Sequence, residues 1–230
     1  MNKTIVEIFM EKEDKIFAKG LCFSKLFIFF VFGCVFGTYY EELIYFFKYK
    51  QWSSRQGLMI GPFNPIYGIP AVILLIVLAR KNKERGIFKT YIYSALISGA
   101  AEYAISVICE YVFKVKFWNY TGYFLNIGGR TTIPFMAFWG VLGVILLKVL
   151  YPNISKVAEK VPYKVAQPVC NILVFFIALD MVFTYSVLGR MALRNTGVKA
   201  YTFIGRFYDT IFSNEYIKEK FPAIKESTDI

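Results

Sequence analysis

Five carboxylates stand where carboxylates are costly. Glu41, Glu42, Glu102, Glu110 and Asp180 lie inside or at the ends of long apolar runs. An acid at the centre of a bilayer costs roughly 2.5–3.5 kcal/mol on insertion scales, so it needs a partner, a proton or water. Ser94, Ser98, Glu102, Ser106 and Glu110 are each four apart. They therefore line one slowly drifting ridge of a helix. Ala95 and Gly99 beside the ridge allow close helix contact. Glu102 has no cation on the neighbouring turns, so it must find one on another helix or hold a proton as a neutral hydrogen-bonding group. Glu110 has two available partners, Lys114 on the next turn and Arg130. Glu41 and Glu42 are adjacent and so point about 100° apart on a helix; one faces the bundle and the other the interface. Acids so placed can bind a cation, exchange protons, or hold a divalent metal through oxygen. The chain has no His, which removes imidazole metal sites, His acid–base chemistry and Ser-His triads. No nucleophile–base pair and no dense metal motif is visible, so no catalytic residue, metal ligand or cofactor is expected.

Two loops carry the remaining polar residues of note. Gly61-Pro62-Phe63-Asn64-Pro65-Ile66-Tyr67-Gly68 packs two glycines and two prolines into eight residues, which dictates a set backbone rather than a flexible linker. Asn64 and Tyr67 then either point inward at the mouth of a span or merely serve a capped helix start. The second loop holds Trp118, Asn119, Tyr120, Tyr123 and Asn126-Ile127-Gly128-Gly129-Arg130. Interfacial aromatics are routine. The paired glycines permit close backbone approach. Arg130 can fork onto a carboxylate or phosphate, either anchoring the loop to Glu41 or Glu42 or touching substrate.

The elements that must position these residues are membrane spans. The chain has 230 residues, 57% hydrophobic and 19% aromatic, against about 45–50% apolar in soluble domains. The excess lies in runs. An all-α polytopic transmembrane bundle of about five spans is expected: Leu26 to Phe47, Pro65 to Ala79, Tyr91 to Val112, Ile133 to Leu150, and Val169 to Leu188 after Pro168. Gly33 and Gly37 have the spacing of tight helix contacts, and Lys148 can snorkel outward. Residues 1–25 form an amino-terminal segment in which Thr4 and Glu7 have capping-box spacing and Ile5, Ile8 and Phe9 an apolar face. Residues 26–188 form the transmembrane domain. Residues 189–230 form a polar, basic tail whose Ala200, Phe203, Ile204, Phe207 and Ile211 fit an interfacial helix. Cys22, Cys34, Cys109 and Cys170 read as small core residues. No secretory signal and no GxxxxGK[ST] segment is found.

The net charge of +11 sits between apolar runs rather than along one face, which speaks for anionic lipid and against nucleic acid. Thirteen basic residues fall in the amino-terminal segment, the second inter-span turn and the fourth; six fall in the other two loops. That bias puts the amino terminus in the cytoplasm, although Arg190, Arg194, Lys199 and Arg206 of the tail count against it. Whatever the orientation, five spans force the first loop, the third loop and the tail onto one face.

Gly61–Gly68, Glu102, Glu110, Trp118-Asn119-Tyr120, Asn126 to Arg130, Trp139-Gly140 and Pro152 resemble the bacterial family called putative ABC-transporter type IV, or CmpB-like. The likeness covers roughly Gly33 to Pro152, and the tail with Asp180, Arg190 and Arg194 is similar to tails of some members. The resemblance implies an integral cell-membrane protein serving as a transporter permease, with membrane lipids and a separate ATPase subunit or other membrane partner around it. The substrate-binding residues expected are Glu41, Glu42, Asn64, Tyr67, Glu102, Glu110, Trp118, Tyr120, Asn126, Arg130 and Asp180. Two alternatives stand beside transport: a structural or sensory subunit of a larger complex, and, behind it, a membrane-embedded enzyme acting on a lipid-linked substrate.

Overall fold

The computed structural model describes residues 16–226. The expected amino-terminal capping box at Thr4 and Glu7 lies outside them. Helix α1 covers Phe23–Tyr49, α2 Pro65–Leu78, α3 Ile87–Phe113, α4 Ile133–Ile145, α5 Tyr151–Ala158, α6 Tyr163–Asn195, α7 Phe203–Ile211 and α8 Asn214–Lys220. Two short antiparallel ribbons complete the fold. Strand β1 (Val115–Lys116) pairs with β4 (Lys225–Glu226), and β2 (Asn126–Ile127) with β3 (Thr131–Thr132). The protein is an all-α bundle of the membrane kind.

Four helical stretches are long and apolar enough to cross a bilayer: α1, α3, the continuous run Ile133–Ala158, and α6. Helix α2 is the exception. Its 14 residues span about 21 Å against roughly 30 Å of hydrocarbon. The stretch between α1 and α2 therefore runs without helix deep in the bundle, which lipid tolerates only where protein covers the backbone. It is covered: Leu58 and Met59 are buried, Met59 in a cluster with Val187, Met191, Ile217 and Phe221.

Helix ends follow local chemistry. Asn64 caps α2, its side chain accepting from the Ile66 N–H at 3.2 Å, with Pro65 in the first turn. Thr132 caps α4 in the same way through the Phe135 N–H at 3.1 Å. Lys50 and Lys114 end α1 and α3 in the left-handed region (φ 58° and 55°). Glu110 pairs with Arg130 and Lys116 rather than with the neighbouring Lys114. Two expected boundaries shift. Helix α6 starts at Tyr163, so Pro168 lies inside it. The fourth span does not stop at Leu150 but passes through a π-helical turn, Leu146–Leu150, into α5. Pro152 explains the wide turn: it lacks the N–H that would bond to the Lys148 carbonyl, and its ring crowds that carbonyl. Lys148 does not snorkel to solvent either. Its ammonium caps the Asn82 and Arg85 carbonyls of the α2–α3 turn, and the Asn82 amide returns a bond to the Leu147 carbonyl.

Small residues set the spacing of the core helices. A Cβ on Gly33 would lie 3.1 Å from the Gly68 Cα, and one on Gly37 would overlap the Tyr67 ring. Gly143 lies as tightly against Ser94. Leu26, Phe29, Leu75 and Leu147 fill one end of the bundle, where buried Lys25 pairs with Glu159. All four cysteines are buried. The tail folds back over the other end. Arg190 forks onto Asp209 at 2.8 and 2.7 Å, and Arg194 reaches the same carboxylate at 2.8 Å. Arg190 first and Arg194 after it hold the Asp209 carboxyl below the ordinary carboxylate range. The apolar side of α7 (Phe203, Ile204, Phe207 and Ile211) remains exposed.

Candidate functional site

At the end where α1 and α3 finish and α2 and α4 begin, the loops close over a cavity of about 60 Å³. Glu102 is part of its lining. The ridge of α3 is buried from Ser94 through Ser98 and Glu102 to Ser106, because Gly140 and Gly143 on α4 bring that helix close. Glu102 is 6% exposed and, among the described residues, no cation pairs with it. Three donors satisfy it instead. Thr131 Oγ1 donates at 2.6 Å and Trp139 Nε1 at 3.2 Å to one oxygen, and Tyr120 Oη donates at 3.1 Å to the other. Those donors come from the loop, from β3 and from α4, so the carboxylate ties the lid to the bundle. Burial first, then the Glu102 carboxylate, push the Tyr120 phenol far above its ordinary range. Tyr120 is thus a fixed donor, held also by stacking on Phe135 at 4.8 Å.

The second acid is Glu41. It lines the same cavity, with the Tyr67 hydroxyl against it and the positive charge of Arg55 acting on it. Tyr67 is wedged between Gly37 and Trp139, the two rings 5.8 Å apart. Arg55 is held from three sides. Its backbone N–H donates to Glu42 at 3.2 Å, its carbonyl accepts from Asn64 Nδ2 at 2.9 Å, and its guanidinium lies 4.2 Å over the Tyr45 ring. Adjacent Glu41 and Glu42 do part as their 100° offset requires: one faces the cavity, the other grips the loop backbone.

Six of the eleven expected residues line the cavity: Glu41, Asn64, Tyr67, Glu102, Trp118 and Tyr120. The other five are placed elsewhere, each with a partner. Arg130 binds Glu110 at 2.6 Å and Ser106 at 3.2 Å, and Lys116 approaches the same Glu110 at 3.3 Å. Arg130 reaches neither Glu41 nor Glu42. Its carbonyl accepts from Trp118 Nε1 at 2.7 Å, so this arginine fastens the lid beside the cavity. Asn126 is exposed and shapes its own turn, accepting from the Gly129 N–H and donating to the Tyr123 carbonyl, both at 3.0 Å. Asp180 accepts from the Ile60 N–H at 3.1 Å and from Thr184 Oγ1 at 3.2 Å, and Thr184 in turn accepts from the Met59 N–H at 2.9 Å. It holds the deep non-helical stretch instead of joining Glu102. Glu42 holds the same stretch through Arg55.

Two cavity residues, Arg55 and Trp139, and one donor to Glu102, Thr131, escaped sequence reasoning in this role. Arg55 was visible only as one more basic residue in a loop. Thr131 directly follows the noted Arg130, and Trp139 sits seven residues after the Thr132 cap, two helical turns on; spacing alone could have pointed to both. Among the described residues no group of three or more Cys, Asp or Glu side chains could hold a metal ion. What the arrangement can do is bind a positive or donor-rich group: two carboxylates face one guanidinium in a small, walled space.

The model of a protein family described as "Putative ABC-transporter type IV" matches residues 28–185 of the chain. No curated protein and no solved structure matches it.

Proposed function

We propose, from the premise that this chain belongs to the family described as putative ABC-transporter type IV, that it works as the permease component of a transporter through the cavity around Glu102. Family and apolar helices together fit a membrane transporter component. The observation that carries the finer reading is a buried carboxylate with three neutral donors and, among the described residues, no cation partner, beside a second acid and under a tied-down lid. Glu102 lies about 17 Å from the lid end of α3, at the depth where transporters keep their sites. Glu102 and Glu41 receive the positive part of the solute. Arg55 and Tyr67 orient Glu41. Arg130 with Glu110, and Asp180 with Thr184, fix the two covering segments. The amino terminus is cytoplasmic in a bacterial cell membrane, α7 lies in the lipid interface by its exposed apolar side, and a separate ATPase subunit drives the cycle.

The test is uptake into inverted membrane vesicles holding wild type or Glu102→Gln at equal abundance. Radiolabelled dodecylammonium, methylammonium and acetate serve as probes, with and without ATP. A cation accumulates in wild-type vesicles and falls to the vector baseline in the variant. Equal accumulation by both proteins would overturn the assignment. No movement of any probe, together with a stoichiometric co-purifying partner, would support the structural or sensory subunit instead.

A further inference from the structure

A second cavity shares a wall with the first. A groove of about 260 Å³ runs among α1, α2 and α4, and Tyr67 and Trp139 line both spaces. The groove is apolar, walled by Phe32, Phe36, Leu74, Leu142 and Leu146. Gly33, Ala71 and Gly143 lie along it, where Gly33 packs against Gly68 and Gly143 against Ser94. The π turn at Leu146–Leu150 closes its far end, the kind of helix irregularity that recurs at functional sites. Phe36 and Ile145 border it and are 48% and 41% exposed. Both belong to helices of spanning length, so the groove opens sideways into hydrocarbon.

The wall between the cavities is one side chain thick. Trp139 borders the groove and donates to Glu102 at 3.2 Å. Tyr67 borders it and lies against Glu41. A wholly hydrophilic solute has no use for a large apolar groove opening into lipid. A chain with an anionic head would meet two carboxylates. A chain with an ammonium head would pass two electron-rich rings suited to cations and then reach Glu41 and Glu102, with Arg55 the basic residue in that lining among the described residues.

We infer that this composite site takes a cationic amphiphile, its hydrocarbon chain in the groove and its ammonium head at Glu41 and Glu102. The inference deepens the permease reading and rests on it. Entry is lateral, from the membrane, and the Tyr67–Trp139 pair forms the threshold.

The experiment uses the full chain in phosphatidylcholine nanodiscs with dodecylammonium carrying a diazirine near the chain end. After illumination, adducts are mapped by peptide mass spectrometry. They should concentrate on Phe36, Leu142 and Leu146. Unlabelled dodecylammonium should suppress them, while dodecyl sulfate and butylammonium should not. Glu41→Gln with Glu102→Gln should lower adduct yield about tenfold, the weight of one charge-assisted hydrogen bond. Leu142→Trp, which fills the groove away from the acids, should lower it too while keeping the wild-type elution profile, so a folding defect in the acid variant cannot decide the matter. Adducts spread evenly over every lipid-facing helix, or equal suppression by dodecyl sulfate, would overturn the inference. Concentrated labelling without vesicle uptake of any probe would leave the site standing and remove the transporter. Uptake lost in Glu102→Gln with diffuse labelling would do the reverse.

Discussion

Replacing Glu102 by Ala removes the acceptor of three separate donors at once. Thr131 and Tyr120 carry hydroxyls that can turn toward other partners, but the Trp139 indole N–H cannot. Side-chain hydrogen bonds between membrane helices average about 0.6 kcal/mol and reach about 1.7, and a buried donor left unpaired costs about 1–3 kcal/mol. The Ala variant should therefore lose about 3–5 kcal/mol. For a chain of this length that lowers the melting temperature by about 6–20 °C. Gln behaves differently. Its carbonyl oxygen can take the position shared by Thr131 and Trp139, at 2.6 and 3.2 Å from those donors. Its amide then faces Tyr120, whose hydroxyl can rotate to accept. Only the extra strength of a charged acceptor is lost, about 1 kcal/mol. The assay is thermal unfolding of detergent-purified wild type, Glu102→Gln and Glu102→Ala, followed by circular dichroism. The expected order is wild type, then Gln within about 4 °C, then Ala far below. An Ala variant as stable as Gln would refute the argument, because it would mean that the three donors gain nothing from the carboxylate.

Asp180→Ala should free the backbone of Met59 and Ile60 while leaving α6 helical; a Met59→Cys reporter, shielded from maleimide in the parent where Met59 is buried, should react about five- to a hundredfold faster, corresponding to about 1–3 kcal/mol of lost restraint. Asp209 has its pKa depressed in the folded protein by Arg190 and Arg194, so its contribution is full above the unfolded value of about 3.9 and disappears as pH falls through the folded value. Hydrogen exchange in α7 should accordingly quicken only in strong acid, and Asp209→Asn should show the fast exchange already at neutral pH. Cysteines placed at Ser53, Gly122 and Gly197 should all react with an impermeant maleimide from one side of the membrane, and one at Lys83 from the opposite side; a split among the first three would dismantle the lid.

Much of the arrangement was legible because it is local or periodic. The serine–glutamate ridge of α3 announces its buried face by fourfold spacing alone. Gly33 and Gly37 announce a close neighbour, which proves to be α2 at Gly68 and Tyr67. Asn64-Pro65 reads as a helix start and is one. What stayed hidden depends on contacts between distant segments. Nothing near Asp180 in the chain says that it will meet the backbone of Ile60 rather than another side chain. Arg130 had a choice of carboxylates, and only the folded contact shows that Glu110 is the one it takes. Lys148 looked like a snorkelling cation because its acceptors belong to a turn more than sixty residues earlier. The folding back of α8 onto Val187 and Met191 depends on Ile217 and Phe221, two apolar residues in a charged stretch with no period to reveal them.

The brevity of α2 also has an electrical consequence. If the lid admits solvent to the deep connection, voltage across the bilayer drops mainly over the thickness that α2 still insulates. One elementary charge crossing a 100 mV gradient experiences about 2.3 kcal/mol, and that work would be compressed into about 21 Å instead of 30 Å. A cation moving between Glu102 and the far end of α2 would feel a steeper field than in a full-length barrier. The same cation stepping from the lid to Glu102 would feel almost none.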